Sequence, residues 1–319
     1  MPVAPSTPVR IAVVGTGHVG ATYAYALLLS GLAAEIVLIN RSREEAEGEA
    51  MDLAHAAPFA TPVRIWVGEE ADCATAAIVV LTLGAPKGDG PDRLALVEQN
   101  GAIFGEVVPR IAEHAGDSVV LVSSNPVDVL TWATWKLSRL PRGRVIGSGC
   151  VLDTSRLRAL LGAHVGVDPR DVQADVVGEH GDSQVAVWSR ATVGGLPLGD
   201  FAAASGHPVD RATLDDIADR TRTAGAAVAE RKGFTAYGVA TGLLRITEAI
   251  LGDQKSVLSV STALDGALGL GDVALSLPSV VGRDGVELVL PPALAAAERA
   301  ALEQSAARLR ETSARLGVE

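Results

Sequence analysis

Cysteine is scarce in this 319-residue chain, with only Cys73 and Cys150 present. Two distant thiols build no disulfide framework, so the expected compartment is a reducing one. Neither thiol stands among ligand-like neighbours. Both therefore read as small core residues, and no metal site is visible. Aromatic side chains make up 3% of the chain, so the core has to be packed with aliphatics. Basic residues are outnumbered, 27 Lys+Arg against 38 Asp+Glu for a net charge of −11. That balance argues against nucleic acid as a partner. The acidic residues are spread rather than run together and read as a solvated surface. No apolar run reaches the ~18 residues of a membrane span. The first eight residues, three of them proline, lack the charged and apolar regions of a signal peptide. The expected location is the cytoplasm, with no membrane contact.

What the chain has in quantity is Ala, Val, Leu and Gly, within 48% hydrophobic residues. That is a soluble α/β composition, at a length of one large or two ordinary domains. Val9 to Val14 is a short, nearly continuous apolar strand of the kind buried on both faces in a parallel sheet. Gly15-Thr16-Gly17-His18-Val19-Gly20 follows at once and leads into a helix-like stretch. G-x-G-x-x-G alone is weak, but between a buried strand and a helix start it is a strong dinucleotide signal. Gly15 permits the turn, Gly17 lets a pyrophosphate approach, and Gly20 lets helix and strand pack closely. His18 reads as a local packing residue. The second strand, Glu35 to Ile39, ends at Asn40, where NAD-binding chains place Asp or Glu on the ribose. A neutral residue there, followed by Arg41-Ser42-Arg43, tilts the expectation slightly towards NADP(H) over NAD(H). The alternative is that Asn40 still bonds the ribose while both arginines are solvated.

Further strands are expected at 63–67, 77–82 and 118–122. After the second comes a segment rich in Gly, Pro and Asp, from Leu83 through Gly84 and Lys87 to Arg93. Its place at the carboxyl end of a parallel strand suits a mobile lid. Ser123-Ser124-Asn125-Pro126-Val127-Asp128 is a sharp polar exit that puts Asn125 at the same sheet edge. In the second half, Asp153 and Arg156 share one face of a helix opening at Val151, where a local salt bridge is the plain expectation. The functional alternative is that Asp153 orients His180 while Arg156 binds a carboxylate in bidentate fashion. Strands at 172–177 and 184–188 flank Gly178-Glu179-His180-Gly181-Asp182-Ser183, a glycine-bounded turn presenting one histidine. A lone histidine there is ordinarily a surface residue, but it is also the side chain that exchanges protons near neutrality. A long helix over 211–232, a break at Gly233 to Gly238, an apolar helix to Leu251, strands over 257–290 and a final helix complete the chain.

Taken together, five stretches make the chain resemble the L-lactate/L-malate dehydrogenase family over essentially its whole length. They are 15–20, 124–128, 146–153, 178–183 and 242–251, and the body is closest to bacterial L-lactate dehydrogenases. The resemblance implies an α/β fold, with a doubly wound parallel Rossmann sheet over 9–147 and a mixed α+β substrate domain over 148–319. It implies hydride transfer between a nicotinamide and a small L-2-hydroxy/2-oxo acid, without metal, in a homodimer or homotetramer. By position, His180 matches the proton donor and acceptor and Asp153 the carboxylate that holds it. Arg156 matches the substrate clamp, Arg93 the lid arginine that polarises the carbonyl, and Thr235 the pocket wall. Asn125 matches the amide beside nicotinamide and substrate. Gly15, Gly17, His18, Val19, Gly20, Asn40, Arg41, Gly84 and Asn125 would line the cofactor.

Three positions depart from the family pattern. Asn40 replaces an acid. Lys87 stands where lactate enzymes carry glutamine and malate enzymes arginine, which puts a dicarboxylate such as oxaloacetate narrowly ahead of pyruvate. Arg158 matches one half of the arginine–histidine pair that binds fructose 1,6-bisphosphate in activated bacterial enzymes, but Gln173 replaces the histidine. The alternatives are a reductase for a larger 2-oxo or imino acid, and a catalytically silent dinucleotide sensor. The sensor would have no need of His180, Asp153, Arg156 and Arg93 together.

Overall fold

The computed structural model describes residues 8–85 and 93–316, with residues 93–95 described by their backbone alone. Lys87 and the side chain of Arg93 thus lie outside the described residues. Short aliphatic runs alternate with helical segments in the first half. They form β1 (Arg10–Val14), α1 (His18–Ser30), β2 (Glu35–Ile39), α2 (Arg43–Ala56), β3 (Arg64–Val67), β4 (Ala76–Leu81), α3 (Arg93–Ala115), β5 (Val119–Val122), α4 (Val127–Ser138) and β6 (Val145–Gly147). These strands pair in parallel in the order β3-β2-β1-β4-β5-β6. The order reverses beside β1, which opens a crevice at the carboxyl ends of β1 and β4. Along β1, Ile11 and Val13 enter one core with Tyr23 and Leu27 of α1. Ala12 and Val14 enter the opposite core with Phe104 and Val108 of α3. Both faces are covered, so these runs are apolar throughout rather than alternating.

The second half comprises α5 (Val151–Val165), β7 (Val172–Val177), β8 (Val185–Val193), β9 (Leu196–Pro197), α6 (Leu198–Ser205), α7 (Arg211–Lys232), α8 (Tyr237–Leu251), β10 (Ser256–Asp265), β11 (Gly271–Gly282), β12 (Gly285–Val289) and α9 (Ala296–Ala314). Strands β10 to β12 are antiparallel and join the first sheet where Ser261 of β10 faces Gly147 of β6, making one sheet of nine strands. Strands β7 to β9 form a separate antiparallel sheet of three. Helix α8 returns to the first half, where Ala240, Leu243 and Ile246 share the core of α1. There the Tyr23 and Thr247 hydroxyls meet at 2.6 Å, both buried.

The fold is the doubly wound α/β architecture with a mixed second part. One strand differs from expectation: β8 runs to Val193 instead of stopping near Trp188. Exposed Ser189 and Arg190 interrupt the apolar pattern, but Ala191 and Val193 turn back into the core with Leu157 and Leu161. Cys73 and Cys150 are free and buried. Among the described residues no helix is long and apolar enough to cross a membrane.

Candidate active site

The glycine turn at the end of β1 is built as its sequence requires. Gly15 has φ +98°, and a Cβ on Gly20 would lie 2.0 Å from the Gly15 carbonyl oxygen. Thr82, just past β4, donates to that same oxygen at 2.6 Å. A Cβ on Gly17, by contrast, would meet no protein atom within 4 Å. Gly17 caps α1 without a side-chain hydrogen bond, and the first turn of α1 has no acidic residue. The buried Thr16 hydroxyl has no hydrogen-bond partner among the described residues. An open helix start, with free N–H groups and the positive end of its dipole, fits a dinucleotide's pyrophosphate. Val19 packs towards the core, and the His18 ring stacks on Phe234 with centroids 4.0 Å apart.

At the end of β2 the arginines do not form a cationic pocket together. Asn40 Nδ2 donates to the Glu45 carboxylate at 3.2 Å and to the Ser42 carbonyl at 3.3 Å. Arg43 is turned to Glu47 at 2.9 Å, whereas Arg41 is exposed. Glu45 thus brings a carboxylate to Asn40, the position where the sequence lacks one. Beyond β4, exposed Gly84 precedes Ala85, whose N–H donates to Asn100 Oδ1 at 2.7 Å. The Asn100 amide in turn donates to the Asn125 carbonyl at 2.7 Å. This buried side chain on α3 clips the exits of β4 and β5 together.

The histidine turn is anchored to three other elements of the fold. Gly178 exchanges two main-chain hydrogen bonds with Ser276 of β11, at 2.8 and 2.9 Å. The Glu179 N–H donates to Ser305 of α9 at 2.9 Å. The His180 N–H donates to Asp128 Oδ2 of α4 at 2.7 Å. On the ring, Nδ1 lies 2.5 Å from Asp153 Oδ2. The other oxygen, Asp153 Oδ1, accepts from Arg156 Nη1 at 3.0 Å. Asp153 is 1% exposed, so both its bonds act in a poorly solvated place. Burial draws the His180 pKa down, but the hydrogen bond and charge of Asp153, with the charge of Asp128, outweigh it and raise it. The imidazole is therefore held towards its protonated form near neutrality. His180, Asn125, Ser148, Leu152 and Val239 border a common cleft.

The structure brings together His180, Asp153, Arg156 and, across the cleft, Asn125. Thr235 lies half-buried in the bend between α7 and α8, beside Phe234 and just before the cleft-lining end of α8. Asn100 and Asp128 are site residues to which sequence reasoning assigned no part. Asp128 did leave a signal, as an acid just inside the apolar run that opens α4. Asn100 left none. Among the described residues no cluster of His, Cys, Asp or Glu could hold a metal ion.

A crevice at the reversal of a parallel sheet, an open helix start after a glycine turn and a carboxylate-held histidine are the features of a dinucleotide-dependent enzyme class. Residues 9–147 match the NAD binding domain of lactate/malate dehydrogenases, and residues 150–316 match their alpha/beta C-terminal domain. The chain is 46% identical to an L-lactate dehydrogenase of Moorella thermoacetica over 98% of both chains. It is 45% identical to one of Priestia megaterium over 95% of both. The solved minor L-lactate dehydrogenase of Enterococcus mundtii superposes with a TM-score of 0.93 at 38% identity, covering 97% of this chain and 98% of that one. The chain belongs to the lactate/malate dehydrogenase family. It is an oxidoreductase that moves a hydride between a nicotinamide cofactor and a small 2-hydroxy/2-oxo acid.

Proposed function

We propose that the protein interconverts pyruvate and L-lactate with NAD(H) as its cofactor. The observation that carries the site assignment is Asp153, whose two oxygens join the His180 ring to the Arg156 guanidinium. One carboxylate thereby fixes the proton donor and the carboxylate clamp relative to each other. When bound, the nicotinamide supplies or accepts the hydride at C2 of the substrate. In reduction, His180 Nε2 donates its proton to the C2 oxygen, and in oxidation the neutral ring takes that proton back. Arg156 Nη1 is engaged by Asp153, which leaves the rest of the guanidinium to bind the substrate carboxylate with the fork geometry that suits it. Asn125 is assigned to the nicotinamide and the substrate oxygen, Arg93 to polarising the carbonyl, and Thr235 and Lys87 to the substrate side chain.

Gly15, Gly17, Val19 and Gly20 are assigned to the pyrophosphate, and His18, Asn40, Arg41 and Gly84 to the rest of the cofactor. Asn40-Arg41-Ser42-Arg43 tilted the expectation towards NADP(H). Glu45 on Asn40 and Glu47 on Arg43 favour NAD(H) instead, because a 2′-phosphate would meet carboxylates. The choice of pyruvate over oxaloacetate is supported by the similar proteins, which are L-lactate dehydrogenases. The division into domains at 147/148, a cytoplasmic location and a homodimeric or homotetrameric state belong to the same proposal. The test is a panel of 2-oxo acids, pyruvate and oxaloacetate included, each with NADH and NADPH and followed at the nicotinamide absorbance. Pyruvate with NADH should show the highest kcat/KM. A higher value for oxaloacetate would move the substrate assignment to Lys87, and a higher value with NADPH would restore Arg41.

A further inference from the structure

Asp128 sits in the first turn of α4 between Val127 and Val129 and is 1% exposed. A charged carboxylate is unfavourable in such surroundings unless something compensates it. Its Oδ2 accepts the His180 main-chain N–H at 2.7 Å, from a residue 52 positions away. Its Oδ1 has no well-formed hydrogen bond among the described residues. The buried Ser261 hydroxyl of β10 faces this carboxylate and eases the burial of its charge. Accepting one N–H requires an oxygen, not a charge, and asparagine or serine would serve. The acid therefore has a use that its hydrogen bond does not exhaust.

The ionisable groups facing Asp128 are His180 and Glu179 in the turn and the Cys150 thiol at the start of α5. Those facing the imidazole are Asp153 and Arg156 of α5, with Asp128 itself. Of these, His180 is the group whose positive charge Asp128 can favour. We propose that Asp128 is a positioning residue for the proton donor: one oxygen fixes the His180 main chain, and its charge joins that of Asp153 in keeping the ring protonated. Burial pushes the Asp128 carboxyl itself up to about 6, so near neutrality it carries its charge and releases it only in mild acid. Asn125 lies three residues earlier, just before the start of α4, so this short stretch also ties the amide of the cleft to the histidine across it. The inference rests on His180 being the proton donor.

Asp128→Asn keeps an oxygen for the His180 N–H and removes the charge, whereas Asp128→Ala removes both. In pyruvate reduction with NADH, the limb of the kcat/KM profile that reports loss of the His180 proton should move about one unit to lower pH in Asp128→Asn. Activity near pH 8 should then fall roughly tenfold while activity near pH 6 stays close to wild type. NADH affinity, read by fluorescence, should be unchanged. Asp128→Ala should lower kcat at every pH as well. A merely structural role would lower activity in Asp128→Asn equally at all pH values, and either that result or an unmoved limb overturns the proposal. Should neither variant fold, the His180 ring resonance of the wild-type enzyme decides: a two-step titration is expected from the coupled pair, and a single step overturns it. His180→Gln separates the two ideas, because full turnover in that variant removes the proton-donor reading on which this one rests.

Discussion

Replacing Asp153 with asparagine perturbs the site with the least change of shape. In the folded protein Oδ2 lies 2.5 Å from the His180 ring and Oδ1 3.0 Å from the Arg156 guanidinium, with the residue 1% exposed. An amide has one oxygen. It can accept from the imidazole or from the arginine, and its NH2 group then points a donor at the other donor. A hydrogen bond to a charged partner is worth about 1.5–3 kcal/mol. At about 1.4 kcal/mol per factor of ten, losing one such bond costs roughly 10- to 150-fold in kcat/KM. The sign of the pH dependence follows from the raised pKa of His180. Reduction needs the protonated ring, and without the carboxylate the ring loses its proton at lower pH. The deficit in pyruvate reduction should therefore widen as pH rises through neutrality and narrow in acid. In lactate oxidation, which needs the neutral ring, the lowered pKa makes that form available at lower pH, so there too the deficit should be smallest in acid and widen as pH rises. Initial rates at saturating cofactor, in both directions across the pH range, measure this directly. A loss of equal size at every pH, or a loss that grows in acid, would refute the reasoning.

Other substitutions probe other parts of the argument. His180→Gln should cost on the order of 10²–10⁴ in turnover while leaving cofactor affinity in place, as measured by steady-state rates and NADH fluorescence. Gly20→Ala puts a Cβ 2.0 Å from the Gly15 carbonyl, so it should cost about 1–3 kcal/mol in denaturant unfolding and weaken cofactor binding, since the turn itself has to shift. Glu45→Gln removes the carboxylate held by Asn40, so the kcat/KM ratio of NADPH to NADH should rise. An unmoved ratio would take Glu45 out of cofactor choice. Arg158 is already turned to Asp175 at 2.9 Å and to the Ala174 carbonyl at 2.9 Å, and Gln173 offers no cation. Fructose 1,6-bisphosphate should therefore activate weakly or not at all, and sigmoidal kinetics abolished by that compound would show otherwise.

Much of the first half was legible because its constraints are local. A two-sided strand announces itself by an unbroken apolar run, and a turn against a helix start by the spacing of Gly15, Gly17 and Gly20. Asp153 and Arg156 were legible as neighbours on a helix. The sequence alone posed a choice between a local salt bridge and an orienting carboxylate, but a carboxylate has two oxygens and Asp153 takes both parts. The pairing of Asp153 with His180, 27 residues away, was open as the functional alternative, and the family resemblance tipped the choice towards it. Asn100 and Asp128 went unassigned for a common reason. Each acquires its meaning from a side chain or strand exit that folding brings up to it, and nothing in its own neighbourhood predicts the partner. The reach of β8 was hidden differently, by two exposed polar residues in the middle of a strand that resumes its buried course.

The shared carboxylate has a thermodynamic consequence. The positive charge of Arg156, held beside the ring by their common partner Asp153, works against protonation of His180. A substrate carboxylate seated on Arg156 neutralises that charge, so the proton affinity of His180 should rise on binding. By linkage, the protonated enzyme should then hold the oxo acid more tightly than the deprotonated one, and by the same factor. Binding of pyruvate to the enzyme–NADH complex above the His180 pKa should thus draw a proton from solution. The uptake would be visible as a buffer-dependent heat, with the acid charging its own donor as it arrives.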